Sequence, residues 1–246
     1  LLMLPDQTLI VGTSKGVCKK LINSKQCIEL QKPDGSLMGD TVTALVADKY
    51  NNTWISTHNG LYRLKPNTTL LDHYTASESK ATLSHNYVLG MVTNQDKIWL
   101  STSTGFDSVT QLNAPNPLFQ EHKKGDSIKN KPGSNMLLDN KGRIWSAISL
   151  FDPENDSLLK LSRAIGVDIG TAWLGSFTKL RSGLMAFGGI KGVLIVDPNK
   201  FNNDIPPSNL FVTSFIINDK DIPLARLEQL SLLPTENDIS IQVATA

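Results

Sequence analysis

Two stretches of the chain, WISTHNGL at 54–61 and WLSTSTGF at 99–106, carry one pattern and decide the fold. In each, two apolar residues precede two small residues, two polar residues, a glycine and a further apolar residue. The pattern returns as IVGTSKGV at 10–17 and, more weakly, as AFGGIKGV at 186–193. A fifth stretch, IWSAISLF at 144–151, keeps the tryptophan and lacks the glycine. The chain therefore contains an internal repeat.

The spacing of the repeat identifies its structural class. Trp54, Trp99 and Trp145 follow one another at intervals of 45 and 46 residues. Each tryptophan follows an apolar-alternating stretch and a polar turn, as in VTALVADKYNNTWIST at 42–57, which is typical of a β-hairpin. A third strand follows each glycine and a weaker fourth strand comes after it. Four strands per unit of about 44 residues predict the blades of a β-propeller.

We therefore predict an all-β fold, a partial β-propeller of about five four-stranded blades followed by the start of an Ig-like β-sandwich. The predicted blades cover 1–39, 40–84, 85–131, 132–168 and 169–205. The predicted sandwich segment covers 206–246, where prolines mark a linker and new alternating strands begin.

The tryptophans and the turns have structural roles in this prediction. Trp54, Trp99 and Trp145 repeat in register, which indicates packing between blades. Asp48 and Asp139 precede two of them in hairpin turns, where a carboxylate bonds local backbone. The closing glycines are expected to adopt positive φ.

Composition excludes several classes of function. The 24 basic and 23 acidic residues give a net charge of +1, which offers no field for nucleic acid or anionic lipid. No apolar run approaches the roughly 18 residues that a membrane span requires. The stretch LLMLPDQTLIVGT at 1–13 lacks the basic region and cleavage site of a signal peptide, so any targeting segment is expected upstream.

Cys18 and Cys27 flank a predicted turn around Asn23 and Ser24. A cross-strand disulfide, suited to an oxidising compartment, and two partly buried free thiols are both compatible with this spacing. Because no histidine lies nearby, a metal site there is not expected.

The units at 54–64 and 99–106, with turns such as DNKGRIW at 139–145, resemble the regulator-propeller repeat of hybrid two-component sensors. The tail stretches VTSFIINDKDI at 212–222 and NDISIQVATA at 237–246 resemble the opening strands of the Ig-like module that follows such propellers. The missing glycine of the fourth unit and the missing tryptophan of the fifth depart from the repeat.

This resemblance implies a periplasmic sensor region of a bacterial hybrid histidine kinase, homodimeric in the full-length protein. In that family the propeller senses a ligand, often an oligosaccharide, and a downstream transmembrane helix passes the signal to a kinase and DNA-binding output. The chain itself would be no enzyme, would bind no nucleic acid, and would reach the membrane only through a helix beyond this sequence.

Propeller geometry indicates where a ligand would bind. Loops between second and third strands share one face with the loops that lead into the next blade. Side chains on these loops that suit sugar hydroxyls or the apolar faces of sugar rings are the candidate ligand-binding residues: His58, Asn59, His85, Asn86, Tyr87, Trp173 and Lys191. No catalytic residue, metal ligand or cofactor is expected.

Two alternative functions remain open from the sequence. A propeller glycan hydrolase or lyase would place carboxylates or a metal from different blades in the central channel. A protein-interaction scaffold would use a face or an edge of the propeller to bind another protein. Fold alone does not choose between these and a sensor.

Overall fold

The computed structural model describes residues 1–78, 82–94, 96–122, 133–201, 210–223 and 230–245. The chain divides into two compact units, Leu1–Pro198 and Asn199–Ala246. Within the described residues, β-strands make up both units, apart from one 3-10 helix at Arg163–Ile165. The predicted all-β class is confirmed.

The first unit contains five consecutive antiparallel sheets, which we call blades 1 to 5. Blade 1 consists of β1 (Leu2–Met3), β2 (Thr8–Thr13), β3 (Gly16–Leu21) and β4 (Ile28–Glu29). Blade 2 consists of β5 (Val42–Ala47), β6 (Thr53–Thr57), β7 (Gly60–Leu64) and β8 (Leu71–Tyr74). Blade 3 consists of β9 (Val88–Thr93), β10 (Ile98–Thr102), β11 (Phe106–Thr110) and β12 (Leu118–His122).

The remaining two blades are less regular. Blade 4 consists of β13 (Leu137–Leu138), β14 (Ile144–Trp145), β15 (Ser149–Asp152) and β16 (Ser157–Lys160). Blade 5 has three strands within the described residues, β17 (Ala172–Lys179), β18 (Met185–Gly189) and β19 (Gly192–Val196). The last residues of the predicted blade, 202–205, lie outside the described residues.

The repeated tryptophans occupy the second strand of their blades. Trp54 pairs with Val46 on β5 and Arg63 on β7, and Trp99 and Trp145 hold matching positions on β10 and β14. All three are at most 4% exposed. Trp54 packs with Val88 and Ile98 of the next blade, among others. Trp99 packs with Ile144 and Phe151 of blade 4, so packing between blades is confirmed for Trp54 and Trp99, and burial is confirmed for Trp145.

The turn aspartates bond the indole rings as well as the backbone. The Oδ2 atom of Asp48 accepts a hydrogen bond from Trp54 Nε1 at 2.8 Å, and Asp139 accepts one from Trp145 at the same distance. The Oδ1 atom of Asp48 accepts from the backbone N–H groups of Tyr50 and Asn52. The predicted local bonding is confirmed, and the bond to the indole is an addition.

Positive φ at the closing glycines is confirmed. Gly60 has a φ of 106°, and a Cβ there would lie 2.5 Å from the carbonyl oxygen of Tyr74. Gly16 has a φ of 127° and equally little room, because a Cβ would lie 1.9 Å from Met38 O. At both positions the backbone conformation and the close neighbouring strand require glycine.

Cys18 and Cys27 form a disulfide, with their Cα atoms 5.7 Å apart. Cys18 lies on β3, and Cys27 lies just before β4, which pairs with β3. Of the two alternatives that the spacing allowed, the structure has the cross-link. It cross-links the loop that connects the third and fourth strands of blade 1.

The second unit contains one antiparallel sheet in the order β21 (Lys220–Asp221), β20 (Leu210–Ile217), β22 (Ile239–Thr245). Asn218 and Asp219 form the tight turn between β20 and β21, with φ values of 47° and 62°. The unit begins at Asn199, before the predicted boundary at residue 206. The Ig-like identity of this segment stays a prediction.

Candidate functional site

The loop between β6 and β7 presents His58 and Asn59 on one end of blade 2, and both are exposed. The backbone N–H of Asn59 donates to Thr57 Oγ1 at 3.0 Å, and the same hydroxyl donates to Gly60 O. This threonine closes the tight turn, so the two following side chains point away from the sheet. The geometry depends on Gly60, since no other residue fits there.

Tyr87 and His58 form a stacked aromatic pair across blades 2 and 3. Their ring centroids lie 4.2 Å apart, with an interplanar angle of 18°. Tyr87 comes from the segment that leads into β9, and its backbone N–H donates to His85 Nδ1 at 2.9 Å. The stack brings an imidazole and a phenol ring together where the loops of blades 2 and 3 meet.

Asn86 holds the two loops together and does not project freely into solvent. Its backbone carbonyl accepts from the N–H of Gly60 at 2.7 Å, and its Oδ1 accepts from the N–H of Ala76 at 2.6 Å. The side chain is half-buried. Asn86 therefore positions His58 and Tyr87, and its remaining amide N–H groups are what it can offer a ligand.

Three supporting residues under this surface were not predicted. Asp40 accepts from Tyr62 Oη at 2.6 Å and from Asn59 Nδ2 at 3.4 Å. Tyr62 stacks on His73 with ring centroids 4.0 Å apart, and His73 Nε2 donates to the backbone carbonyl of Asn59. The signal that could have found the pair was register, because Tyr62 and His73 face each other on adjacent strands.

Electrostatics favour the charged form of Asp40. Partial burial by itself raises the pKa of this carboxyl, but the Tyr62 hydroxyl and the Lys32 ammonium outweigh burial and hold the pKa below its ordinary value. Burial and the bond to Asp40 raise the pKa of Tyr62 far above its ordinary value. At neutral pH the pair is a carboxylate and a neutral phenol, which fixes the direction of the hydrogen bond.

The other two predicted residues belong to blade 5. Lys191 is exposed in the loop between β18 and β19, and its Nζ donates to both oxygens of Asp168 at 3.1 and 3.2 Å. This bond and the neighbouring Arg163 lower the pKa of Asp168. The contacts of Lys191 are with blade 5 and the segment before it, so it does not join the His58–Tyr87 surface.

Trp173 is 64% exposed at the start of β17. The pairing of β17 with β18 is irregular between Ala172 and Phe177. Asn135 of blade 4 holds the irregular segment, donating to Trp173 O at 2.7 Å and accepting from the N–H of Gly175 at 2.9 Å. The hydrogen bonds to Asn135 thus hold the backbone while the indole of Trp173 is exposed to solvent. In this it differs from the three repeated tryptophans, which are buried.

Five of the seven predicted residues, His58, Asn59, His85, Asn86 and Tyr87, lie on connected loops of blades 2 and 3. This surface can stack on a ring face and donate or accept several hydrogen bonds. In the part of the chain that the structure describes, no group of three or more His, Cys, Asp or Glu side chains could hold a metal ion. In that same part, no helix is long and apolar enough to cross a membrane.

Comparison with solved structures identifies chains of the same fold. The extracellular domain of the proposed hybrid two-component system BT3049 from B. thetaiotaomicron is 20% identical, with a TM-score of 0.65 over 89% of this chain and 31% of that domain. The corresponding domain of BT4673 from the same organism is 15% identical, with a TM-score of 0.63 over 98% of this chain and 33% of its own.

An enzyme shares the fold more distantly. The gluconolactonase XC5397 from Xanthomonas campestris is 15% identical, with a TM-score of 0.51 over 78% of this chain and 68% of that chain. No protein-family model matches the sequence, and no curated protein matches it either. The chain spans about a third of the length of the two extracellular domains. At these identities the likeness shows the fold, which is the propeller that the repeat predicted.

Proposed function

We propose that this chain is the periplasmic ligand-sensing region of a hybrid two-component sensor and that it binds an oligosaccharide. The observation that carries the proposal is the stack of the exposed His58 on the half-buried Tyr87, beside Asn59 and Asn86 and held by Asp40 and His73. Its fold likeness to extracellular domains of two-component systems supports a sensing role. The disulfide suits an oxidising compartment.

The surface has the two properties that sugar recognition requires. An aromatic face packs against the CH groups of a pyranose ring, while amide and imidazole groups beside it bond the hydroxyls. The supporting hydrogen bonds keep the loops ordered before a ligand arrives, which reduces the entropy lost on binding. Trp173 and Lys191 would contact a separate part of a long ligand or a second ligand.

We propose that binding is reversible, without turnover, and that the chain itself is no enzyme. In the full-length homodimer, binding would change the geometry passed through the second unit to a downstream membrane helix, kinase and transcriptional output. In this proposal the full-length protein acts in a phosphorelay that responds to polysaccharide fragments.

The test is calorimetric titration of the 246-residue chain with neutral oligosaccharides of two to six sugar units. Tyr87→Ala is expected to weaken binding roughly 3- to 10-fold, because it removes the stacked ring. Tyr50→Ala is the matched control, since Tyr50 is 43% exposed in the β5–β6 turn at the other end of blade 2.

Equal loss of affinity in both variants would overturn the proposed site. Titration of the same samples followed by chromatography of the sugar decides the question of turnover. Shortened oligosaccharides released by the wild-type chain would support the hydrolase or lyase alternative.

A further inference from the structure

A cavity of about 220 Å³ lies between blades 1 and 2, away from the surface described above. Blade 1 contributes Thr8, Ile10 and Lys19 to its wall, and blade 2 contributes Thr53 and Leu64. None of the seven predicted ligand-binding residues lines it. Asn51 and Asn67, from two turns of blade 2, stand at the same cavity, so it opens at the opposite end of the blade from His58.

The cavity exists because blade 1 lacks the tryptophan of the repeat. Counted from the closing glycine, Ile10 in blade 1 corresponds to Trp54 in blade 2, and Lys19 corresponds to Arg63. In blade 2 both residues are fully buried, with the guanidinium 5.5 Å from the indole ring. Ile10 and Lys19 are smaller than Trp54 and Arg63. They therefore leave a space between blades 1 and 2 that the larger pair fills between blades 2 and 3.

The cavity is not merely a packing defect, since its walls carry polar groups. The hydroxyl of Thr53 is buried, in a residue that is 1% exposed, and has no hydrogen-bond partner among the described residues. An unpartnered buried hydroxyl is costly, so such a group is a candidate to bond a ligand or a water.

Lys19 adds a positive charge without a counter-ion. Its half-buried side chain donates to Thr68 O at 3.0 Å, and no described carboxylate lies within ion-pair distance of its ammonium. The corresponding Arg63 is, by contrast, paired with Asp72. Asp6 also stands at the cavity, where it accepts from the backbone N–H of Thr8. Lys65 stands there too and is paired with Asp72.

We propose that this cavity binds a small organic carboxylate that also carries hydroxyl groups. Lys19 pairs with the carboxylate, Thr53 bonds a hydroxyl, and Ile10 and Leu64 pack against the carbon skeleton. The volume is below the roughly 300–1,000 Å³ of pockets for drug-sized molecules, so the ligand is compact. A neighbouring cavity of about 300 Å³ shares Thr8 and Lys19, which leaves room for a further group past the ammonium.

D-glucuronate is a suitable probe, with D-glucose as its uncharged counterpart. The melting temperature and the calorimetric affinity of the 246-residue chain are measured with each. Glucuronate is expected to raise the melting temperature by several degrees near saturation, and glucose is not. Lys19→Met should weaken glucuronate binding by about 10- to 100-fold, because it removes a charge-assisted hydrogen bond.

Two further variants separate binding from folding. Thr53→Val should weaken binding while leaving the melting temperature of the free protein unchanged or higher, because it removes an unpartnered hydroxyl. Ile10→Trp restores the repeat and should fill the cavity, abolishing binding. Lys20→Met is the matched control, since Lys20 lies on the opposite face of β3 and should leave binding unchanged.

The outcomes are distinct from those of the proposed oligosaccharide site. Tyr87→Ala should leave glucuronate binding intact. Failure of glucuronate to bind at tens of millimolar, or unchanged binding by Lys19→Met, would overturn the proposal.

Discussion

At the residue scale, the buried aspartate of the hairpin turn bonds its own backbone and two side chains at once. Asp139 is 5% exposed and accepts from Trp145 Nε1, from two backbone N–H groups and from Arg143 Nε. Burial raises the pKa of Asp139, but the Trp145 and Arg143 hydrogen bonds outweigh it and hold the pKa below its ordinary value. One carboxylate thus fixes the turn, the indole and a guanidinium.

Asp139→Asn is expected to lower the free energy of unfolding at pH 7 by about 3 kcal/mol, because it breaks the buried ion pair between Asp139 and Arg143. Urea unfolding measures this. Asp96→Asn is the control, since Asp96 is 70% exposed and pairs only on the surface with Lys49. It should cost less than about 1 kcal/mol.

The pH dependence of the same pair of proteins follows from the direction of the pKa shift. Because the folded pKa of Asp139 is depressed, its stabilising contribution is fully present above the unfolded pKa of about 3.9. The contribution is lost as the pH falls through the folded pKa. The difference in stability between wild type and Asp139→Asn should therefore shrink below about pH 4, and a constant difference would contradict the assignment.

At the element scale, the turn between second and third strands is built from one threonine and one glycine. Thr13, Thr57 and Thr102 each donate their hydroxyl to the carbonyl of the glycine three residues later, at 2.9 to 3.1 Å. Blade 4 lacks the glycine, and Ser146 makes the same kind of bond to Ser149 O. The hydrogen bond from the hydroxyl is therefore present in blade 4 as well, although this blade lacks the glycine of the repeat.

The disulfide is the other local constraint at this scale. It joins residues nine positions apart in the outer part of blade 1, so the closed loop is short. Its loss is expected to lower the free energy of unfolding by about 2–3 kcal/mol. Reduction should lower the melting temperature of the wild-type chain.

The double variant Cys18→Ala/Cys27→Ala should already melt at the lower temperature and should not respond to a reducing agent. A response of the double variant to the reductant, or none in wild type, would contradict a disulfide role in stability.

At the scale of the whole molecule, two buried arginines and a half-buried lysine bridge successive blades. Arg63 is fully buried and donates to the backbone carbonyls of Leu112 and Ala114 in blade 3, at 2.8 and 2.7 Å. Arg143 of blade 4 donates to Pro198 O at 2.6 Å, and Lys19 of blade 1 donates to Thr68 O of blade 2. These bonds join segments about 50 residues apart and complement the apolar contacts between sheets.

Arg63→Met should lower the free energy of unfolding by about 2–4 kcal/mol, because it removes the donor to the buried carbonyl of Leu112 and to the half-buried carbonyl of Ala114. Hydrogen exchange should also become faster in blade 3, the blade that Arg63 holds. Lys65→Met is the matched control, since Lys65 pairs with the same Asp72 and is 46% exposed. An equal cost in the two variants would contradict a bridging role for Arg63.

Blade 5 shows what an uncovered blade face looks like. Val193 and Ile195 on β19 are 63% and 60% exposed. The corresponding residues one and three positions after the glycine in blade 2, Leu61 and Arg63, are fully buried by blade 3. The apolar character of this face therefore follows from its place in the repeat.

The tryptophan spacing, the period-two strands and the closing glycines were enough to predict the propeller and the burial of Trp54, Trp99 and Trp145. They were enough because each unit folds mostly from pairings between strands that are close in sequence. The same pattern of buried positions then recurs in every blade. The loops that carry His58 and Tyr87 could be placed on one face for the same reason.

The partners of the polar side chains that bond across strands or blades were decided by tertiary structure alone. Asp40 accepts from Tyr62, Arg63 donates to the carbonyl of Leu112, and Lys19 lines the same cavity as Thr53. Such interactions join blades or strands that are far apart in the chain. The distances between the interacting side chains depend on how neighbouring sheets twist and pack. A periodic pattern specifies which residue type faces the neighbouring blade. The size of the space between two blades is set only when both sheets have packed against each other.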